Sequence, residues 1–241
     1  MSDKFKEWAL SYSGCDGGDH RQGGTWICGL EFGGGDTEQS LETTIGLGAV
    51  PKPVVEHTEE AANQYLKFQY NIKALKLLAA VDGQSVGRYR DFFLEKDAFG
   101  EGSKYFKMNL FPISFKNTDP KLWKQGFAKR TGISDKPTYL NWCREHRFGW
   151  IRQLVRTQRP KLVICTGITW RDDFALAFDA GEHGLSKGEA GGKEFLHFLT
   201  NGGRTLVVIT YFLGGRYGLS KNTSIQETGE KIKALLRQFS L

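Results

Sequence analysis

Glu31 has the setting that most invites chemistry. It ends the apolar run Trp26-Ile27-Cys28-Gly29-Leu30 and is followed, after Phe32, by Gly33, Gly34 and Gly35. An apolar run bounded by turn residues is the signature of a strand covered on both faces. Open α/β sheets take their ligands just beyond the carboxyl ends of such strands, where Glu31 stands. A carboxylate there can give or accept a proton. The glycines after it let the backbone take positive φ and come close to a ligand, because no Cβ is in the way. A tight turn with a solvated Glu has the same local pattern, so the other strand ends must be weighed with it. Asn109 lies near the end of Tyr105-Phe106-Lys107-Met108-Asn109-Leu110-Phe111, a strand halted by Pro112. Asn is depleted inside strands; here it either offers its amide to a ligand or holds two loops together. The loop Tyr211-Phe212-Leu213-Gly214-Gly215-Arg216 follows the last apolar run.

The elements that position these groups alternate along the chain. The spacing predicts an amphipathic helix over 5–12, a polar Gly-rich loop over 14–19 and a first strand over 25–30. A long helix starts at Thr58, whose hydroxyl caps it while Glu59 and Glu60 favour its positive end. It runs on through Leu66, Tyr70, Leu75 and Leu78. After the second strand comes a helix over 138–157, ended by Pro160, then a third strand over 161–167. Strands over 195–199 and 205–211 flank Thr200-Asn201-Gly202-Gly203 as a hairpin. A final amphipathic helix over 224–239 turns Ile225, Ile232, Leu235, Leu236 and Phe239 inward. The pattern predicts a three-layer α/β/α sandwich with a short, mainly parallel central sheet, in a single domain over 1–241.

Composition narrows the class. With 39% hydrophobic and 13% aromatic residues the chain can bury a core, which excludes intrinsic disorder. No apolar segment approaches a membrane span, and Met1-Ser2-Asp3-Lys4-Phe5-Lys6 lacks the apolar core of a signal peptide; a soluble cytoplasmic protein is expected. The four cysteines, Cys15, Cys28, Cys143 and Cys165, form no C-x-x-C pair, so neither a zinc site nor a redox motif is signalled. A formal net charge of +6 favours an anionic partner. Arg144, Arg147, Arg152, Arg156, Arg159 and Lys161 crowd one segment, preceded by Lys129, Arg130 and Lys136. This is either a solvated helix face or a phosphate-contacting stripe.

The order and spacing of Gly29-Leu30-Glu31-Phe32-Gly33, Asn109-Leu110-Phe111-Pro112 and the loop 211–216 resemble the uracil-DNA glycosylase superfamily. The resemblance covers most of the chain as architecture and about two short motifs as residues. It implies a monofunctional DNA glycosylase that flips a nucleotide into its pocket and releases the base, leaving an abasic site. By that resemblance Glu31 matches the position that activates water or stabilises the sugar cation, and Asn109 the amide that reads the base edge. Phe32 falls on the next position of the turn. Phe111 offers a stacking face, unless it is one more core aromatic. Leu213, Arg216 and Tyr217 are expected in minor-groove insertion and backbone contact, Leu213 filling the vacated stack; a plain surface loop is the alternative. DNA is the implied partner, with no membrane, cofactor, metal or obligatory protein partner.

The departures from the family pattern are informative. The His-Pro-Ser that usually begins the last loop is missing, and none of His20, His57, His146, His183 or His197 lies there. Tyr211 or Arg216 would have to assist the departing base, or catalysis leans on Glu31 alone. The closely spaced cysteine pair of the iron–sulfur branch is absent. In uracil-specific members the position of Gly33 carries a tyrosine that blocks pyrimidines substituted at carbon 5. Gly33 leaves that side open, which favours a 5-modified pyrimidine such as the glucosylated hydroxymethylcytosine removed by anti-phage members. Two other classes stay open: a non-catalytic nucleic-acid-binding protein on the same fold, and a nucleoside hydrolase or deoxyribosyltransferase. The triple glycine lacks the Gly-Lys-Ser/Thr ending of a phosphate loop.

Overall fold

The computed structural model describes every residue except Asp19, Arg21, Gln22, Phe32, Lys52, Val54, Glu182 and His183. In chain order its elements begin α1 (Asp3–Ala9), β1 (Cys15–Gly18), β2 (Thr25–Gly29), α2 (Glu38–Gly46), α3 (Glu59–Tyr65), α4 (Gln69–Asp82), α5 (Tyr89–Glu95) and β3 (Tyr105–Asn109). They continue with α6 (Gln125–Thr131), α7 (Lys136–Trp142), α8 (Phe148–Gln158), β4 (Leu162–Thr166) and α9 (Arg171–Ala177). Strands β5 (Ser186–Ala190), β6 (Lys193–Thr200) and β7 (Thr205–Thr210) precede the last helix, α10 (Asn222–Gln238). Among the described residues no helix is long and apolar enough to cross a membrane.

Among the described residues the strands form one seven-stranded mixed sheet in the order β1-β3-β2-β4-β7-β6-β5. The middle four, β3-β2-β4-β7, are parallel, so their carboxyl ends meet along one edge. That is the parallel centre the sequence predicts, but antiparallel strands widen it on both sides: β1 against β3, and the hairpin β6-β5 against β7. Successive side chains of a strand point to opposite faces. Trp26 and Cys28 accordingly enter a core with Phe5, Tyr139 and Phe148, whereas Ile27 enters a second core with Leu75, Leu78 and Ile232. Helices α1, α7 and α8 thus cover one face of the sheet, and α4 and α10 the other. All four cysteines are buried and free.

Several elements differ from the sequence expectation. Part of the expected Gly-rich loop is β1. A Cβ on Gly18 would run into the Tyr105 carbonyl, so glycine lets this edge strand lie against β3. The helix expected from Thr58 is two helices. Thr58 does cap α3, accepting from the Ala61 amide, but the chain is extended again at Phe68 before α4. Across this break the Asn71 side chain donates to Tyr65 O at 2.9 Å. The helix expected over 138–157 is interrupted by a π-helical turn, Cys143–Arg147, of the kind that redirects a side chain within a helix. It turns Arg147 fully inward. Helices α2, α5, α6 and α9 and strand β5 carry no sequence expectation; α2 is announced by a capping box at Thr37 and Ser40.

Candidate active site

The site is built on the neighbouring ends of β2 and β3. Gly29 and Asn109 are paired in register, and the ladder continues past both strands: Leu110 N donates to Gly29 O at 3.0 Å and Phe111 N to Leu30 O at 2.8 Å. Glu31 is the next residue along. Its side chain is only 9% exposed, and Lys136 Nζ, itself buried, lies 3.6 Å from Glu31 Oε2. Lys136 opens α7, where Asp135 caps the helix by accepting from Thr138 N at 2.7 Å. Its ammonium also sits 3.9 Å from the centre of the Phe115 ring and donates to Asn117 O at 3.3 Å. Burial pushes the Glu31 carboxyl up to about 7, against the pull of the nearby Lys136 charge. Burial likewise lowers the Lys136 ammonium, with Glu31 opposing. Within a unit or so of neutral pH, the carboxyl can therefore hold or release a proton.

Asn109 is buried, and its backbone N–H and its Nδ2 both donate to Gly14 O, at 2.8 and 3.1 Å. The amide does hold two segments together, and the same bond fixes which way it faces. A Cβ on Gly29 would collide with Asn109 Oδ1, so glycine is what lets the amide lie across the end of β2. Tyr70, at the start of α4, reaches the same place from the other face: its hydroxyl would stand 3.3 Å from that Cβ and lies 2.9 Å from Thr166 Oγ1 at the end of β4. Burial pushes the Tyr70 phenol well above its ordinary range, so it stays neutral.

Among the described residues, a Cβ on Gly33 or Gly34 would meet nothing within 4 Å, whereas one on Gly35 would press on Lys116 at 3.1 Å, so the turn is open at its first two glycines and closed at the third. Gly34 and Gly35 have φ of +112° and +84°, which favours glycine. Gly35 N donates to Ser114 Oγ at 3.0 Å, and Ser114 N to Asp36 Oδ2 at 2.8 Å, stitching the turn to the segment after β3. A shallow cleft of about 500 Å³ runs along Gly14, Gly33, Gly34, Gly35, Pro112 and Ser114. Its wall includes Gly14, the residue that anchors Asn109, but neither Glu31 nor Asn109 themselves.

Other expected site residues are placed differently. Phe32 lies outside the described residues. Phe111 is 1% exposed, its ring packed against Phe148 at 5.7 Å and Trp170 at 5.8 Å; it is a core aromatic with no face left for a base. Leu213 is fully buried in the core under α4 and α10, so it is not a wedge. The loop closes through Leu219 N donating to Phe212 O at 2.8 Å, which turns Leu213 in and leaves Phe212 49% and Tyr217 78% exposed. Phe212 stacks on Tyr70 at 5.8 Å with the planes 26° apart. Arg216 is exposed, its guanidinium 5.8 Å from the Tyr217 ring. Tyr211 is half-buried under the Lys193 ammonium, 4.4 Å from its ring centre.

The Arg-rich segment is not a free phosphate stripe. Arg147 spends its guanidinium on backbone carbonyls, among them Leu110 O at 2.7 Å and Ser13 O at 2.5 Å. Arg144 pairs with Asp173 at 2.6 Å and Arg156 with Asp179 at 2.7 Å. His57 is held by Asp97 at 2.6 Å and Ala98 O at 2.9 Å.

Lys136 and Tyr70 are the site residues that sequence reasoning missed. A signal existed for the first: Asp135-Lys136-Pro137 reads as a cap followed by a helix start, where a cation opposes the helix dipole and needs an acid partner. Tyr70 read simply as an apolar helix position. No protein-family model, curated protein or solved structure matches the chain.

Proposed function

We propose that this chain is a DNA N-glycosylase of the uracil-DNA glycosylase type, which flips a pyrimidine nucleotide out of DNA and hydrolyses its glycosidic bond. The observation that carries this reading is Glu31, a nearly enclosed carboxylate held by Lys136 at the carboxyl edge of the parallel strands, one residue beyond the last backbone bond between the two strand ends, Phe111 N to Leu30 O. Cleavage proceeds through a sugar cation, which a carboxylate stabilises while it orients or deprotonates the incoming water. Glu31 must be ionised for this, and the Lys136 charge favours that state. Asn109 reads the base edge. The open side at Gly33 accommodates a 5-substituent, which favours a 5-modified pyrimidine such as glucosylated hydroxymethylcytosine, and with it a role against phage DNA. Phe212, Arg216 and Tyr217, exposed on the loop after β7, suit stacking on bases and contact with phosphates. The architecture we propose is correspondingly the three-layer sandwich of that superfamily.

One observation favours a second reading. The basic segment that argued for a polyanionic partner is largely paired off within the protein, which suits a hydrolase of free nucleosides using the same Glu31.

Both readings meet one experiment. The protein is incubated with labelled oligonucleotides carrying uracil, mismatched thymine, hydroxymethylcytosine or glucosylated hydroxymethylcytosine, and separately with the free nucleosides; alkali then cuts any abasic site. Strand breakage on at least one oligonucleotide is the expected result. Base release from nucleosides alone moves the assignment to the second reading, and release from neither overturns both.

A further inference from the structure

Thr166 Oγ1 donates its own proton to Cys28 O at 3.3 Å. The Tyr70 hydroxyl, 2.9 Å from the same oxygen, therefore donates to Thr166 and keeps the lone pairs of Tyr70 Oη for an outside donor. Asn109 is constrained in a matching way. Gly14 O takes one Nδ2 proton at 3.1 Å, so the amide carbonyl is turned toward Gly29, beside Tyr70. Among the described residues no donor is given to Asn109 Oδ1 by the bonds that hold the amide. Two acceptor oxygens thus converge on the end of β2, under the half-exposed ring of Phe212.

We infer that this pair of acceptors makes the site selective for a base edge with an exocyclic amino group: the 4-amino edge of a cytosine-type pyrimidine over the 4-oxo edge of uracil or thymine. The inference rests on the glycosylase reading above and names its substrate class. An amino group carries two N–H donors, one for Asn109 Oδ1 and one for Tyr70 Oη. The second Nδ2 proton of Asn109 remains for the ring nitrogen next to the amino group. A 4-oxo base carries a single donor on that edge, its N3–H, which can serve Asn109 Oδ1 while O4 takes the spare Nδ2 proton; Tyr70 Oη is then left desolvated without a proton, and the discrimination rests on that second acceptor. Sites built around hydrogen bonds reject analogues that lack them far more strongly than apolar pockets reject a change of size. Position 5 is tolerated separately, through the open flank at Gly33.

The test uses matched oligonucleotides with 5-hydroxymethylcytosine or 5-hydroxymethyluracil, which differ only at the position-4 edge. Excision is measured for the wild type and Tyr70→Phe, and equilibrium binding is measured on non-cleavable 2′-fluoro versions. The wild type should favour the amino base at least about tenfold in both measurements. Tyr70→Phe keeps the ring under Phe212 but loses one acceptor, and its ratio should fall toward one while its circular dichroism stays that of the wild type. Equal handling of the two bases, or a preference for hydroxymethyluracil, overturns the inference, and release of either base then leaves the glycosylase reading standing. An amino preference in binding with release of neither base upholds the selectivity and overturns the glycosylase reading. An unchanged ratio in a folded Tyr70→Phe removes Tyr70 from the discrimination and overturns the two-acceptor account.

Discussion

At Glu31 two demands oppose each other. Enclosure gives the carboxylate a defined direction and strengthens its effect on a nearby cation, yet the same enclosure pushes its proton affinity up to about 7. Lys136 is the countercharge that limits this rise, and both charges are out of water together. Because the proposed mechanism uses the ionised form, the excision rate should climb as pH rises through about 7 and fall away on the acid side. Lys136→Met keeps an apolar stem against Phe115 but removes the charge. We expect its pH–rate inflection above that of the wild type, with a severalfold loss at neutral pH; an inflection that stays put would separate Lys136 from the chemistry. Folding feels the opposite sign. The folded state keeps the Glu31 proton up to about 7, whereas the ordinary carboxyl releases it near 4.5. This group's contribution is therefore fully present below the lower value and lost as pH rises through the upper one. Glu31→Gln should flatten the pH dependence of the melting temperature in that window.

At the scale of elements, the site depends on how closely β2 and β3 end together. Gly29 is the contact point: the Asn109 amide occupies the space where a side chain would be. Gly29→Ala should cost about 1–3 kcal/mol by overpacking, read from urea unfolding, and should displace the amide, lowering excision even where the protein is folded. A fully stable and active Gly29→Ala would mean that the amide can move freely. The strand ends were legible in the sequence because the apolar runs stop at Leu30, Phe111 and Gly167, and the strands end within a residue or two of those stops, at Gly29, Asn109 and Thr166. The α3/α4 break was not legible, since Leu66, Tyr70, Leu75 and Leu78 keep helical spacing across it. The interruption depends on a side chain, Asn71, donating to a backbone carbonyl. The loop after β7 failed for a related reason. Once a strand leaves the sheet, its two-residue alternation no longer assigns faces. Which of Phe212 and Leu213 is buried was decided by the closing bond from Leu219.

For the molecule as a whole, the formal net charge is +6. The densest basic segment is largely committed to Asp173, Asp179 and backbone carbonyls. DNA affinity should then rest on the exposed loop after β7, and stacking should weigh heavily in it. Phe212→Ala and Tyr217→Ala should each weaken binding to a single-stranded oligonucleotide by about 1–3 kcal/mol. Leu213→Ala should instead lower folding stability by about 2–5 kcal/mol and leave the affinity of the folded protein unchanged; the reverse pattern would restore Leu213 as the inserted residue. The parallel strands bring Glu31, Asn109, Thr166 and this loop to one edge of the sheet, so the proposed binding and chemistry would share a surface. The most direct test of the account is single-turnover excision by Glu31→Gln beside the wild type, on the best substrate, at saturating protein and pH 8. The account predicts a loss of about a hundredfold or more with DNA affinity changed by less than about threefold. Excision at the wild-type rate in that variant would contradict it.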